Sequence, residues 1–288
     1  MSDFQLDNAT CFRKECEFAD EGCQMRPLKE FPDKTLAQIK YVLTDIDDTL
    51  TVDGQLPAIA YDAIEKLHNA GIKIVPITGR PAGWCDHIAR MWPVDGVVGE
   101  NGAFYFYYRR KQNKMLCRYW ESTQKRMQDR IHLDKLRERI LQEVPGARVA
   151  SDQTYREADL AIDFCEDVPS LPMGEVEKIT AIFTRAGANA KISSIHVNGW
   201  FGNYDKLSMT RVLFREIFEK DLEAVKEMVI FCGDSPNDEP MFDYFPNAVG
   251  VANISQFKDR LLSKPSWITN KPGGYGFAEL VEMLLRGN

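Results

Sequence analysis

Tyr41-Val42-Leu43-Thr44-Asp45-Ile46-Asp47-Asp48-Thr49-Leu50-Thr51 (YVLTDIDDTLT, 41–51) joins an apolar, β-branched run to a knot of acids. It has a distant counterpart in EMVIFCGDSPNDEP (227–240), where Asp234 and Asp238 follow the apolar run Met228 to Cys232. Both acidic pairs, Asp45/Asp47 and Asp234/Asp238, therefore stand at strand ends. In an open parallel sheet, ligands bind outside the carboxyl ends of the strands, so two acidic strand ends converge on one crevice even when far apart in sequence.

The chain around these motifs alternates strand and helix. Strands are predicted at 41–45, 72–77 and 94–98, with helices at 57–70, started by Pro57 and stopped by Gly71, and at 81–91, started by Pro81. The pattern resumes after Gly202 with helix 205–219, strand 228–232, helix 236–244, strand 247–251, helix 255–263, strand 266–268 and helix 275–286. Between the two halves the character changes. The aromatic, basic stretch 104–120 reads as two strands around a turn at Gln112-Asn113. A helix at 123–143, short strands at 147–150 and 158–164, a helix at 173–186 and a strand within 189–198 follow. The fold expected is α/β: a Rossmann-like parallel sheet core, 39–103 and 201–288, with an α+β cap domain, 104–200, inserted into it. Residues 1–38, with Pro27 and Pro32 and weak periodicity, read as an N-terminal extension, a surface-draped or partly ordered arm.

Composition narrows the function classes. The 44% hydrophobic and 27% charged content is that of a soluble globular protein, and no apolar run reaches a membrane span. Met1-Ser2-Asp3-Phe4 lacks a basic, apolar leader, so a cytoplasmic protein is expected. A net charge of −7 and the lack of a basic stripe argue against nucleic acid. Seven cysteines without a CxxC pair are not a disulfide framework, and Cys11, Cys16 and Cys23 have no nearby His to complete a zinc set. No oligomeric state can be read from the sequence.

Carboxylates crowded into one cleft repel by about 4 kcal/mol per pair at 4 Å and an effective dielectric near 20, so they need protons or a cation. Hard oxygen donors suit Mg²⁺, and phosphoryl transfer is the matching chemistry. Asp45 is the candidate nucleophile and Asp47 the candidate acid/base. Alone, an acidic pair after a strand is as readily a solvated turn or a helix cap. Thr78, with the N–H of Gly79 in Ile77-Thr78-Gly79-Arg80-Pro81, suits a phosphate oxygen at a helix start, while Arg80 pairs either with substrate or with a neighbouring carboxylate. Lys206, opening the helix where the core resumes, is placed to neutralise the nucleophile and hold the transferring group. Asp234 is a direct Mg²⁺ ligand in this reading, and Asp238 and Asn237 support it from behind. His68, His87, His132 and His196 are isolated and read as packing or surface residues, while Trp200 and Phe201 line an entrance or pack a hinge.

Taken in order, DIDDT, the threonine of TGR, a downstream lysine and GDSPND resemble the four signatures of the haloacid dehalogenase-like phosphohydrolase superfamily. The insertion between the second and third, with Glu100-Asn101-Gly102-Ala103 at the junction, resembles the C2 cap of the Cof-like and sucrose-phosphatase-like branch, subfamily IIB. The resemblance covers about 39–288 and implies that Asp45, the Asp47 carbonyl and Asp234 ligate Mg²⁺. Where relatives commonly carry Gly after the second acid, this chain has Asp48. The expected function is a Mg²⁺-dependent phosphatase of a small phosphorylated metabolite, with sugar phosphates the first guess, acting through an aspartyl-phosphate. A sugar phosphomutase and a noncatalytic phosphate-binding module are the alternatives.

Overall fold

The computed structural model describes residues 25–286 except Ser194; Cys11, Cys16 and Cys23 lie outside them. The elements in chain order are β1 (Arg26–Pro27), α1 (Asp33–Leu36), β2 (Tyr41–Thr44), α2 (Ala58–Asn69), β3 (Lys73–Pro76), α3 (Ala82–Met91), β4 (Val97–Gly99), β5 (Phe104–Arg109) and β6 (Lys114–Tyr119). Then come α4 (Thr123–Glu143), β7 (Arg148–Val149), β8 (Leu160–Asp163), α5 (Met173–Arg185), β9 (Asn189–Ile192) and β10 (His196–Trp200). The chain closes with α6 (Lys206–Ile217), α7 (Leu222–Val225), β11 (Val229–Gly233), α8 (Glu239–Tyr244), β12 (Asn247–Gly250), β13 (Trp267–Ile268) and α9 (Gly273–Arg286).

The central sheet runs β1-β13-β12-β11-β2-β3, all parallel. Its middle strands are apolar without interruption because both faces are covered; Val229 to Gly233 are all buried. Alternate side chains divide between two cores. Val42, Ile74 and Ile230 pack with Ile64, Ile88 and Leu280 on one face, and Leu43, Val75 and Phe231 with Met209, Leu213 and Phe242 on the other. Each fully buried Leu or Ile contributes on the order of 2 kcal/mol.

Between the two core halves lies a four-stranded antiparallel sheet, β7-β8-β10-β9, with its own core formed by Leu133, Ile140, Ile162, Val176, Phe183 and Val197 of α4, α5 and the strands. Residues 104–119, expected with the insertion, pair elsewhere. β5 and β6 form an antiparallel ladder with β4, which bridges in parallel to the core through Ile77 and Val98. The hairpin thus extends the central sheet at the β3 edge.

Three further sequence expectations are corrected. Residues 26–36 are no surface arm: β1 adds a parallel strand to β13, and Leu28, Phe31 and Leu36 are buried in the core. Their apolar side chains were too sparse to show a period, yet each finds the sheet edge or α9. The helix expected at 255–263 is instead a short 3-10 turn, Ala252–Phe257. The single strand expected within 189–198 is two, β9 and β10, paired antiparallel.

Candidate active site

β2 and β11 are neighbours, and the Asp45 N–H extends their ladder by donating to Cys232 O at 2.9 Å. Asp45 and Asp234 therefore leave the sheet side by side. On the opposite flank Ile77 N–H donates to Thr44 O at 2.8 Å, which brings Thr78 to the same edge. The chain leaves β2 for β3 on one side and returns through β11 on the other, the switch in direction that opens a crevice in such sheets.

Lys206 enters from the first turn of α6, whose start is fixed by an Asp205–Ser208 capping box. Its Nζ donates to Asp45 Oδ1 at 2.7 Å and to Asp238 Oδ1 at 2.8 Å, and the residue is only 4% exposed. That close seat depends on Gly102, which has φ +106°; a Cβ there would fall 2.0 Å from Asp205 O. The second oxygen of Asp238 accepts from Asp234 N–H at 3.2 Å and Ser235 N–H at 3.4 Å, so this acid holds both the lysine and its own turn. Asp234 is held by Thr49, which donates to Oδ1 at 3.1 Å, and by Asn253, which donates to Oδ2 at 3.2 Å.

One oxygen each of Asp45, Asp234 and Asp238 lies within 4.8 Å of the others. Burial pushes the Asp45 carboxyl up to about 8, against the pull of Lys206 and with a further push from Asp238 and Asp47. Burial also drives Asp234 well above the carboxylate range, with Asp238 and Asp45 adding to it. For Lys206 burial works the other way, but Asp238 and Asp45 outweigh it and hold the ammonium above its ordinary range. One ammonium among three acids leaves the cluster short of positive charge, and its donors are hard oxygens, a set that fits Mg²⁺. The buried Cys232 thiol beside it is no competitor, because burial keeps it protonated.

Asp47 faces away from this trio, toward Arg80. The guanidinium grips it as a fork, with Nε 3.0 Å from both carboxylate oxygens and Nη2 2.8 Å from Oδ1, and lies 4.4 Å over the Trp84 ring. From the inserted unit, Glu166 Oε1 stands 3.4 Å from Arg80 Nη1. The other Glu166 oxygen lies 2.8 Å from His196 Nε2, at ion-pair distance though without an aligned hydrogen bond. The cleft between Asp45, Asp47, Gly79, Arg80 and Asn237 below and Ser193, Ile195, His196 and Asn198 above holds a cavity of about 30 Å³, room for about one water.

Glu166 offers a pH test of this tether. His196, then Arg80, draws its carboxyl down from 4.5 to about 2. A depressed folded pKa means stability that is present above the unfolded pKa and lost as pH falls toward 2. Glu166→Gln is thus expected to be less stable than the parent by about 1 kcal/mol at pH 7, discounted for its partial exposure. The gap should close between pH 4.5 and 2, read by urea melts across that range. An equal gap at both ends would rule out the ion pair as its source.

Residues 42–142 match the family described as haloacid dehalogenase-like hydrolase. The chain is similar to that family over this stretch. It is 28% identical over 256 residues to phosphoglycolate phosphatase 1 of Saccharolobus solfataricus, covering 86% of this chain and 97% of that protein. Among solved structures, protein 0175 of Thermoplasma acidophilum superposes with a TM-score of 0.66 at 16% identity, over 86% of this chain and 98% of that one. The sucrose-phosphatase of Synechocystis, solved with sucrose and phosphate, gives 0.56 at 14% identity, over 86% and 98%. The fold is shared with both.

In the structure Asp45, Asp47, Thr78, Gly79, Lys206, Asp234, Asn237 and Asp238 all come together at one sheet edge. Asn237 Nδ2 donates to Asn101 Oδ1 at 3.3 Å, and Gly79 O accepts from Arg156 at 3.0 Å. Arg80 binds neighbouring carboxylates. Asp48 takes the left-handed backbone a glycine would fill, at φ +56°, a conformation Asp tolerates at modest cost. Trp200 is buried and stacked on Tyr204 with ring centroids 5.9 Å apart, and Phe201 meets His132. The sequence reading missed His196, Asn198, Glu166, Arg156 and Asn253. A signal for two of them existed: in Ile195-His196-Val197-Asn198 the polar residues alternate along a buried strand, which puts both on one face.

Proposed function

We propose that this chain is a Mg²⁺-dependent phosphatase of small phosphorylated metabolites that works through phospho-Asp45. The observation carrying the reading is the buried Asp45 carboxylate, tied by one oxygen to Lys206 and standing beside Asp234. Its other oxygen is left to attack phosphorus. Asp45, the Asp47 carbonyl and Asp234 would hold the metal, which when bound offsets the charge of the acids and of the phosphoryl oxygens.

Lys206 would neutralise one phosphoryl oxygen as the Asp45–phosphorus bond forms and the ester bond breaks. The Thr78 hydroxyl accepts from Arg80 N–H at 3.0 Å and keeps its own proton to donate to the phosphate, beside the Gly79 N–H. Asp47 gives a proton to the leaving alkoxide and then takes one from the water that hydrolyses phospho-Asp45. The Arg80 fork engages both Asp47 oxygens, an arrangement compatible with the second task. For the first, Arg80 has to yield, and Glu166 is its waiting partner. In this reading the core comprises 26–119 and 201–288, and the unit between them is a cap that lifts to admit substrate into the narrow cleft beneath it.

The test is a panel of phosphate monoesters that includes phosphoglycolate and hexose phosphates. Phosphate release with Mg²⁺ is expected, falling at least about 100-fold with EDTA and returning with Mg²⁺. Phosphate that moves within a sugar only when a bisphosphate is added would mark a mutase. No release from any ester with Mg²⁺ present would end the phosphatase reading.

A further inference from the structure

We infer that Glu100 is a positioning residue whose carboxylate holds the cap loop 157–159 against the phosphate-binding turn 78–80. It is fully buried just past β4, and all its acceptor capacity is used by backbone N–H groups from two parts of the chain. Oε1 accepts from Ala82 at 3.0 Å, the first residue of α3, and from Glu157 at 2.9 Å. Oε2 accepts from Ala158 at 2.7 Å and Asp159 at 3.1 Å. One core carboxylate thus bridges the helix that follows the turn and the loop that leads into β8.

The backbone around it carries the connection into the site. Glu100 N–H donates to Arg80 O at 3.2 Å and Asn101 N–H to Thr78 O at 3.1 Å, which clamps the turn at both ends. Both residues hold left-handed conformations, with φ +42° and +55°, that non-glycine residues adopt only when their surroundings compel it. From the other side Arg156, in the same loop, donates to Gly79 O at 3.0 Å while paired with Asp152 and Asp159. Asp159 in turn accepts from Asn198, whose strand lines the cleft. Seating the loop therefore shapes the turn and aligns β10 in one step. Buried polar networks of this kind hold one geometry when every member is satisfied.

Glu100→Gln in the full chain tests this. A carboxamide keeps one acceptor oxygen and sets an NH₂ against two N–H donors. The kcat for para-nitrophenyl phosphate is expected to fall about 10- to 100-fold. Competitive inhibition by inorganic phosphate, which depends on the turn carrying Thr78 and Gly79, should weaken severalfold as well. Amide exchange at Glu157, Ala158 and Asp159 should speed up at least about tenfold, with β2 and β11 unchanged. An unchanged kcat, unchanged exchange at these three amides, or exchange that quickens throughout the core would overturn the assignment. Should the variant not fold, Arg156→Gln reads the same junction from the cap side, and normal exchange at 157–159 there would equally overturn it. The activity arm rests on the phosphatase reading; a parent that releases no phosphate defeats that reading alone, since exchange still decides the role of Glu100.

Discussion

Asp45→Asn is expected to lower phosphate release by about 10⁴-fold or more while leaving the fold intact. The amide keeps the shape, and its oxygen can still accept from Lys206, now 2.7 Å from Asp45 Oδ1. What is lost is the anion that attacks phosphorus. The same change takes out of a crowded acidic cluster a carboxyl whose ionised form burial already disfavours, pushing it up to about 8. Without metal, the variant should therefore melt at or above the parental midpoint, whereas an ordinary core substitution would lower it. With Mg²⁺ the order should reverse, because the parent gains a ligand that the variant holds more weakly. Release above roughly one percent of the parental rate would remove Asp45 as the nucleophile.

Lys206→Met carries the largest expected effect on stability. It leaves Asp45 and Asp238 buried without the ammonium that both contact, at 2.7 and 2.8 Å. Breaking a buried ion pair by removing one partner costs about 3–5 kcal/mol, more than the methionine can recover by packing. Urea melts of the metal-free proteins would show it, and activity should fall about 10³-fold as well. Adding Asp238→Asn to the Met variant should restore part of the stability, since it takes away one stranded charge. No recovery in the double variant would mean that the lysine acts through packing alone.

Much of the site was legible in the sequence because its parts are local. Asp45, Thr78 and Asp234 each follow an apolar run that can only be a covered strand, and the resemblance of four short motifs supplied their order. Lys206 was readable from its place at the start of a helix where the alternation resumes. Glu166, His196 and Arg156 were not. Each owes its place to the way the inserted unit sits on the core, and no periodicity in 123–200 states that orientation. The hairpin 104–119 was misjudged for a related reason: an antiparallel ladder looks the same in sequence whether it extends a neighbouring sheet or founds a new one.

The sequence by itself determined the strand ends, the acids they carry and the sheet that would gather them, since strand burial and turn chemistry are written in neighbouring residues. Tertiary structure alone decided what each acid touches. It turned Asp47 toward Arg80 and spent Asp238 on Lys206. It also set Glu100 between cap and turn. Those choices depend on packing between segments far apart in the chain, as Lys206 is from Asp45, 161 residues away. Side-chain charge is fixed by composition, but the partner that a buried charge must find is fixed only when the layers close on it.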